Sequence, residues 1–151
     1  HKNPKLRFLL PDEKELFLKR YVVDKTGKLM GYPSGYLAAK AIGLQPKGLV
    51  IPTYTSERAI GRMKAVYDNS KWIIKEPKTK ITRENVHFLM LMDIIGDIEK
   101  WSTLTAEDTM NQLKQWYQYT DVLDNEEENI VKKYPKKSQE KYKKWILNQL
   151  K

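Results

Sequence analysis

Hydrophobic positions change their period several times along this 151-residue chain, and the changes predict its elements. Near the start, Leu16, Phe17 and Tyr21 recur at helical spacing over Asp12–Val22. Pro11 suits the first helical position, and Asp12, Glu13 and Glu15 favour its positive end. Asp24-Lys25-Thr26-Gly27 reads as a turn. A short helix is predicted over about 35–42, with Ser34 as its cap and Gly43 as the left-handed residue after its end. Its Ala38, Ala39 and Ala41 allow close packing against a neighbour.

Beyond Pro46 the period drops towards two. Leu49–Thr55 is rich in strand formers but contains Pro52, which predicts an edge or bulged strand. Met63, Ala65 and Tyr67 alternate with Lys64 and Val66, Asp68-Asn69-Ser70 makes a turn, and Lys71–Lys75 returns, predicting a β-hairpin. Helical spacing resumes from a Thr82 cap to about Trp101, with Val86, Leu89, Met90, Ile94 and Ile98 on one face. Asp93, Asp97 and Glu99 are assigned to its solvent side. Further helices are predicted over about 105–119 from a Thr105 cap, 122–133, and 138–150 from a Ser138 cap. The class is therefore α+β: a small hairpin or sheet packed with a long central helix and a C-terminal helical segment. Residues 1–101 are read as the core and 102–151 as a helical extension of the same domain.

Charge sharpens this picture. The net charge of +9 is uneven: residues 40–83 carry ten basic and three acidic side chains, 84–128 two and eleven, and 129–151 eight and one. A basic, then acidic, then basic chain offers a cationic surface to a polyanion while the acidic block faces elsewhere. The densest candidate is the hairpin, where Arg58, Arg62, Lys64, Lys71, Lys75, Lys78, Lys80 and Arg83 cluster with Tyr54, Tyr67 and Trp72. Cations interleaved with aromatics suit phosphate contacts together with base stacking. The Lys-rich end is a weaker second patch. Ser34 and Gly35, at a helix N-terminus, are a further candidate phosphate contact.

Other chemistry has less support. Asp68, Glu76 and Lys78 have the order of a Mg²⁺-dependent nuclease set, but Pro77 interrupts the strand that has to present them. His87 stands alone, there is no Cys, and no Gly-rich nucleotide loop occurs, so neither metal nor cofactor is expected and the chain is read as a non-enzyme. No apolar run has membrane-spanning length, and the lack of Cys suits a reducing cytoplasm. His1 is no initiator residue, so the expectation is either a tag remnant at the start or a processed piece, with upstream sequence missing.

Two runs narrow the reading. Gly31-Tyr32-Pro33-Ser34-Gly35 leads through a small-residue helix to Ile42-Gly43-Leu44, and Lys75–Asn85 leads into Leu89–Asp93. With Pro46, Thr55, Arg58, Arg62, Pro77 and the Thr82 to Asn85 cap between them, these positions resemble the core of AbiEi-like antitoxins. These are the regulator half of type IV toxin–antitoxin (abortive phage infection) systems. The resemblance runs from about Pro11 to Trp101, and Tyr134-Pro135-Lys136-Lys137 extends it loosely into the tail. The winged-helix segment that such proteins place first has no counterpart before Gly31, and their Thr-Asn turn reads Tyr54-Thr55-Ser56 here. The resemblance implies a transcriptional regulator and antitoxin that counters a nucleotidyltransferase toxin without necessarily forming a stable complex. Its hairpin would contact DNA, RNA or the toxin. The alternatives are a phage or plasmid nucleic-acid-binding regulator with no toxin, and the Mg²⁺-dependent nuclease.

Overall fold

A computed structural model of the chain describes residues 21–48, 51–67, 69–120 and 124–148. The predicted Asp12–Val22 helix, except its last two residues, lies outside the described residues, as do Leu49, Val50 and Asp68.

The fold is α+β. Four strands, β1 (Gly31–Ser34), β2 (Thr53–Ser56), β3 (Arg62–Tyr67) and β4 (Ser70–Lys75), form one sheet in the order β1-β2-β4-β3. β2 and β4 run parallel, while β1–β2 and β3–β4 are antiparallel. The hairpin is where the alternation placed it. The strand read over Leu49–Thr55 is instead Thr53–Ser56, starting just past Pro52, whose missing N–H cannot serve a ladder.

Register divides the sheet into two faces. Tyr32, Thr55, Lys75 and Arg62 stand side by side across the four strands, and Ser34, Thr53, Ile73 and Lys64 form the next row on that face. The alternate rows, Pro33–Tyr54–Ile74–Met63 and Trp72–Ala65, are buried or half-buried.

Helix α1 (Gly35–Ile42) ends in Gly43 at φ 93°, as its sequence predicts. The central helix is shorter than predicted: α2 covers Val86–Ile95 and a single turn, α3 (Ile98–Trp101), follows a break. Asp97 leaves the helical region there, with ψ 39°. At Gly96 a Cβ would meet Ser138 Oγ at 2.6 Å, so the tail packs directly on the bare backbone. Thr82 and Asn85 cap each other reciprocally, Thr82 Oγ1 accepting from Asn85 N–H at 3.1 Å and Asn85 Oδ1 from Thr82 N–H at 2.9 Å. This stalls the chain in a turn, so the helix begins only at Val86. Nor is α2 amphipathic: all its residues but Asp93 are buried, because helices and sheet enclose it on every side.

α4 (Ala106–Tyr117) has the expected cap, Thr105 Oγ1 accepting from Asp108 N–H. α5 spans Asp124–Val131, and α6 spans Lys136–Tyr142 before a π-helical turn over Lys143–Leu147. Ser138 is therefore inside α6 and buried; Pro135 holds the cap position. Leu113, Trp116, Ile130, Val131 and Ile146 of the tail share one buried cluster with Leu89, Met90 and Ile94, so both parts of the chain have a common core.

Gly31 tests this arrangement. A Cβ there would lie 2.3 Å from Tyr21 O and 2.6 Å from Thr55 O, both backbone atoms that cannot swing aside. Gly31→Ala is expected to cost about 3 kcal/mol, an overpacking penalty, read as a lower urea midpoint.

Candidate polyanion-binding face and its cleft

α2 covers only half of the face that carries the Tyr32–Arg62 row. Asp93, half-buried as a residue but with its carboxyl turned inward, stands over β1 and β2. Its Oδ2 accepts from Tyr32 Oη at 2.7 Å, Ser34 Oγ at 3.2 Å and Thr55 Oγ1 at 3.4 Å, and its Oδ1 accepts from Tyr134 Oη at 2.8 Å. Ser34 Oγ and Thr55 Oγ1 also lie 2.5 Å apart, so one of the two donates to its neighbour while the other donates to the carboxyl. Burial pushes the Asp93 carboxyl above its ordinary 3.8, and the charge of Lys75 and the hydroxyl donors pull it only part of the way back. Burial, then the charge of Asp93, holds the Tyr32 and Tyr134 hydroxyls well above their ordinary 10.0, so both remain protonated donors.

The sequence reading put Asp93 in solvent and Ser34 on a phosphate, and the structure corrects both. Ser34 does occupy the N-cap position of α1, but its side chain makes no cap bond and is fully buried, because Thr55 and Asp93 hold its hydroxyl inside. A single acid within the apolar run Val86–Ile95, opposite Tyr32 and Ser34 at alternating strand positions, was the signal for this network. Tyr134 carries no such local signal.

Beyond Thr55 the same face is open. Arg62 and Lys64 of β3 and Lys71 of β4 are exposed, Lys75 is half-buried, and Val66 is 72% exposed between them. None of Arg58, Arg62, Lys64, Lys71, Lys75 and Lys78 makes a salt bridge with a described residue. In the tail, by contrast, Lys137 pairs with Asp97 at 2.8 Å and Lys141 with Glu99. Pairing therefore partly neutralises the Lys-rich end.

The remaining predicted residues scatter. Arg58 is exposed in the turn after β2, outside the open face. Lys80 is exposed on the loop leading to α2, and Arg83 reaches away to donate to Gly27 O at 3.4 Å. Trp72 is 1% exposed and tilted against Tyr54, itself buried, so neither presents a ring to a base. Their strand positions point to the interior, which alternation alone leaves undecided for a two-sided hairpin. Tyr67 is described only by its backbone pairing with Ser70. Trp72 and Tyr54 are therefore not available for the stacking expected from the sequence.

Two hollows lie on the open face. A cleft of about 310 Å³ is lined by Thr55, Gly61, Arg62, Lys75, Glu76, Lys78 and Asp93, so two carboxyl groups share it with three cations. One pleat along, a hollow of about 590 Å³ runs past Lys64, Lys71, Ile51, Pro52 and Ile73. Glu76 accepts from Gly61 N–H at 3.0 Å across the hairpin end. Among the described residues no group of three or more His, Cys, Asp or Glu is placed to hold a metal, and no helix is long and apolar enough to cross a membrane. In comparisons with family models, curated proteins and solved structures, nothing matches the chain.

The Asp93 network makes a pH-dependent contribution of definite sign. The folded carboxyl holds its proton more tightly than the unfolded one, so this group's stability contribution is complete below pH 3.8 and falls as pH rises through the raised folded value. Asp93→Asn is expected to remove that fall, shifting the difference in urea stability towards the variant as pH rises from 3.8. Asp93→Ala strips an acceptor from the buried Tyr32 and Tyr134 hydroxyls and is expected to cost about 4 kcal/mol near neutral pH.

Proposed function

We propose that this domain is a non-enzymatic regulator of the AbiEi-like kind, the antitoxin portion that counters a nucleotidyltransferase toxin, and that it acts through the open hairpin face. The observation that carries the reading is the row of cations Arg62, Lys64, Lys71 and Lys75, left without salt bridges to described residues on an uncovered half-sheet. Arg62 and Lys75 stand directly opposite each other, and like charges so placed cost about 0.2–1 kcal/mol. Asp93 offsets part of the charge of Lys75, and an anionic partner is suited to relieve the rest of this cost. Phosphate contacts of this kind release counterions and fix orientation without reading sequence. A cytoplasmic location and a partner of DNA, RNA or toxin belong to the same proposal.

The test is growth rescue. Co-expressed with the toxin of its operon, the wild-type chain is expected to restore growth. The Arg58→Glu, Arg62→Glu, Lys64→Glu triple variant, folded by circular dichroism, is expected to fail. Full rescue by that variant would remove the hairpin from the antitoxic role. No rescue by folded wild-type protein, with steeply salt-dependent nucleic-acid binding, would favour a plain nucleic-acid-binding regulator.

A further inference from the structure

We propose that the outer edge of β3 is a docking site for an extended acidic segment of a partner protein, which adds a strand to the sheet. The inference concerns the edge of the hairpin, not its face, and goes beyond the anion-binding reading of that face.

The edge is open. β3 ends the sheet order β1-β2-β4-β3, and no other described strand pairs with it. Antiparallel pairing turns the N–H and C=O of alternate residues to one side. Glu76 N–H donates to Gly61 O at 3.0 Å, so Gly61, Met63 and Ala65 face β4. Arg62, Lys64 and Val66 therefore direct theirs outward, where no described residue meets them. The opposite edge differs. β1 is four residues long, contains Pro33, and its start is covered, Gly31 N–H donating to Val22 O at 3.1 Å. β3 pairs over six residues without Pro or bulge, so what it carries along its edge is side-chain chemistry alone.

That chemistry names the partner. Ile60 is 88% exposed and Val66 72%, the two most exposed large apolar side chains among the described residues, and they bracket the strand. Ile60 is held in place, its N–H donating to Met63 Sδ at 3.4 Å and that of the next residue, Gly61, to Glu76 at 3.0 Å. Between them stand Arg62 and Lys64, both exposed and without a salt bridge to a described residue. Side chains directly opposite on paired strands touch. A strand laid along this edge meets cations in the middle and apolar groups at the ends. Its complement is a pair of carboxylates flanked by apolar residues. From Ile60 to Val66 is about 20 Å, an ordinary strand length.

Two other occupants fit less well. A second copy centred on the edge sets Lys64 against Lys64, and like charges directly opposite destabilise. The phosphates of a nucleic acid accept from the outward N–H groups but have no donor for the C=O groups between them. A peptide backbone presents donors and acceptors at the same repeat.

The experiment uses the full chain and a fluorescent peptide, Val-Thr-Glu-Val-Glu-Thr-Val, which reads the same in both directions, followed by anisotropy. The same peptide with Lys for Glu is expected to bind about tenfold more weakly. N-methylation of the two Glu residues, or of the central Val and both Thr, removes donors from one edge of the peptide and leaves its charge intact. One of these forms is expected to lose about tenfold while the other stays within about twofold: the Glu form loses if addition is antiparallel, the other if it is parallel. The amides of Arg62, Lys64 and Val66 are expected to gain protection from hydrogen exchange on binding. Val66→Pro removes an outward donor that the sheet does not use, and is expected to keep the urea midpoint and lose the peptide. The Arg62→Glu, Lys64→Glu double variant is expected to prefer the Lys peptide.

No binding at millimolar protein, or equal binding of the two methylated forms, overturns the edge site and leaves the reading of the face to its own test. Binding of the Glu peptide with no gain in amide protection at Arg62, Lys64 and Val66 places it on the open face as a polyanion. That result overturns the edge site while upholding the face.

Discussion

One buried carboxyl organises this molecule. Asp93 brings an ionisable group into an otherwise apolar helix, and an unpartnered charge there would be far too costly to keep. Four hydroxyls meet the need, from β1, β2 and the link between α5 and α6. Each of those elements must therefore sit in one register for the network to close. A one-residue slip of β1 would turn Tyr32 and Ser34 away from Asp93 and bring Gly31 and Pro33 in their place. Hydrophobic burial supplies the bulk of the stability, but the carboxyl fixes which arrangement is reached. It also stations α2 over the β1–β2 half of the sheet, and the uncovered β4–β3 half is a consequence.

The electrostatics of the two basic regions diverge for the same structural reason. Asp97 and Glu99 lie where the break after α2 brings them against the tail, and Lys137 and Lys141 find them there. These pairs are exposed and add little stability, but they reduce the free positive charge of the tail. Beside the hairpin face Asp93 and Glu76 line the cleft, while most of the acidic block of residues 84–128 folds into α2 to α5. A second buried carboxylate, Glu127, serves the tail as Asp93 serves the sheet, accepting from Tyr117 Oη at 2.9 Å and from Tyr142 Oη. The acidic block thus does two separate things, locking helices together internally and quenching the tail externally.

What was legible in the sequence follows the range of each interaction. The hairpin, the short helix closed by Gly43 and the Thr105 cap depend on neighbours in the chain, and alternation, φ preference and spacing report them directly. Ser34 and Ser138 mislead because a serine before a helical run has the same local appearance whether its hydroxyl caps or is drawn elsewhere by tertiary contacts. Trp72 misleads in a related way: a hairpin with apolar residues at alternate positions does not say which side the rest of the protein will cover. The break at Gly96 depends on Ser138, some forty residues further on, and no local pattern reports that contact. Among the site residues, the cations on β3 and β4 were readable, but Asp93, Tyr32, Thr55 and Tyr134 come together only by folding.

The residues on which the antitoxin resemblance rests fall unevenly across this arrangement. Tyr32, Ser34, Thr55 and Asp93 are the hydroxyl network, Gly31 is the close approach beside it, and the Thr82–Asn85 cap sets where α2 begins. These are scaffold positions, buried or half-buried. Of the quoted cations Arg62 and Lys75 stand on the open face, and Lys64 and Lys71 complete it by strand alternation. Scaffold and surface therefore carry different information. The motif residues specify a sheet half covered by a helix that one carboxyl holds in place. In the proposed reading, the spacing of cations on the other half, set by the two-residue repeat of the strands, selects the anions that fit. Asp93 joins the two, because it holds the helix through the hydroxyl network and also lines the cleft that Arg62 and Lys75 share.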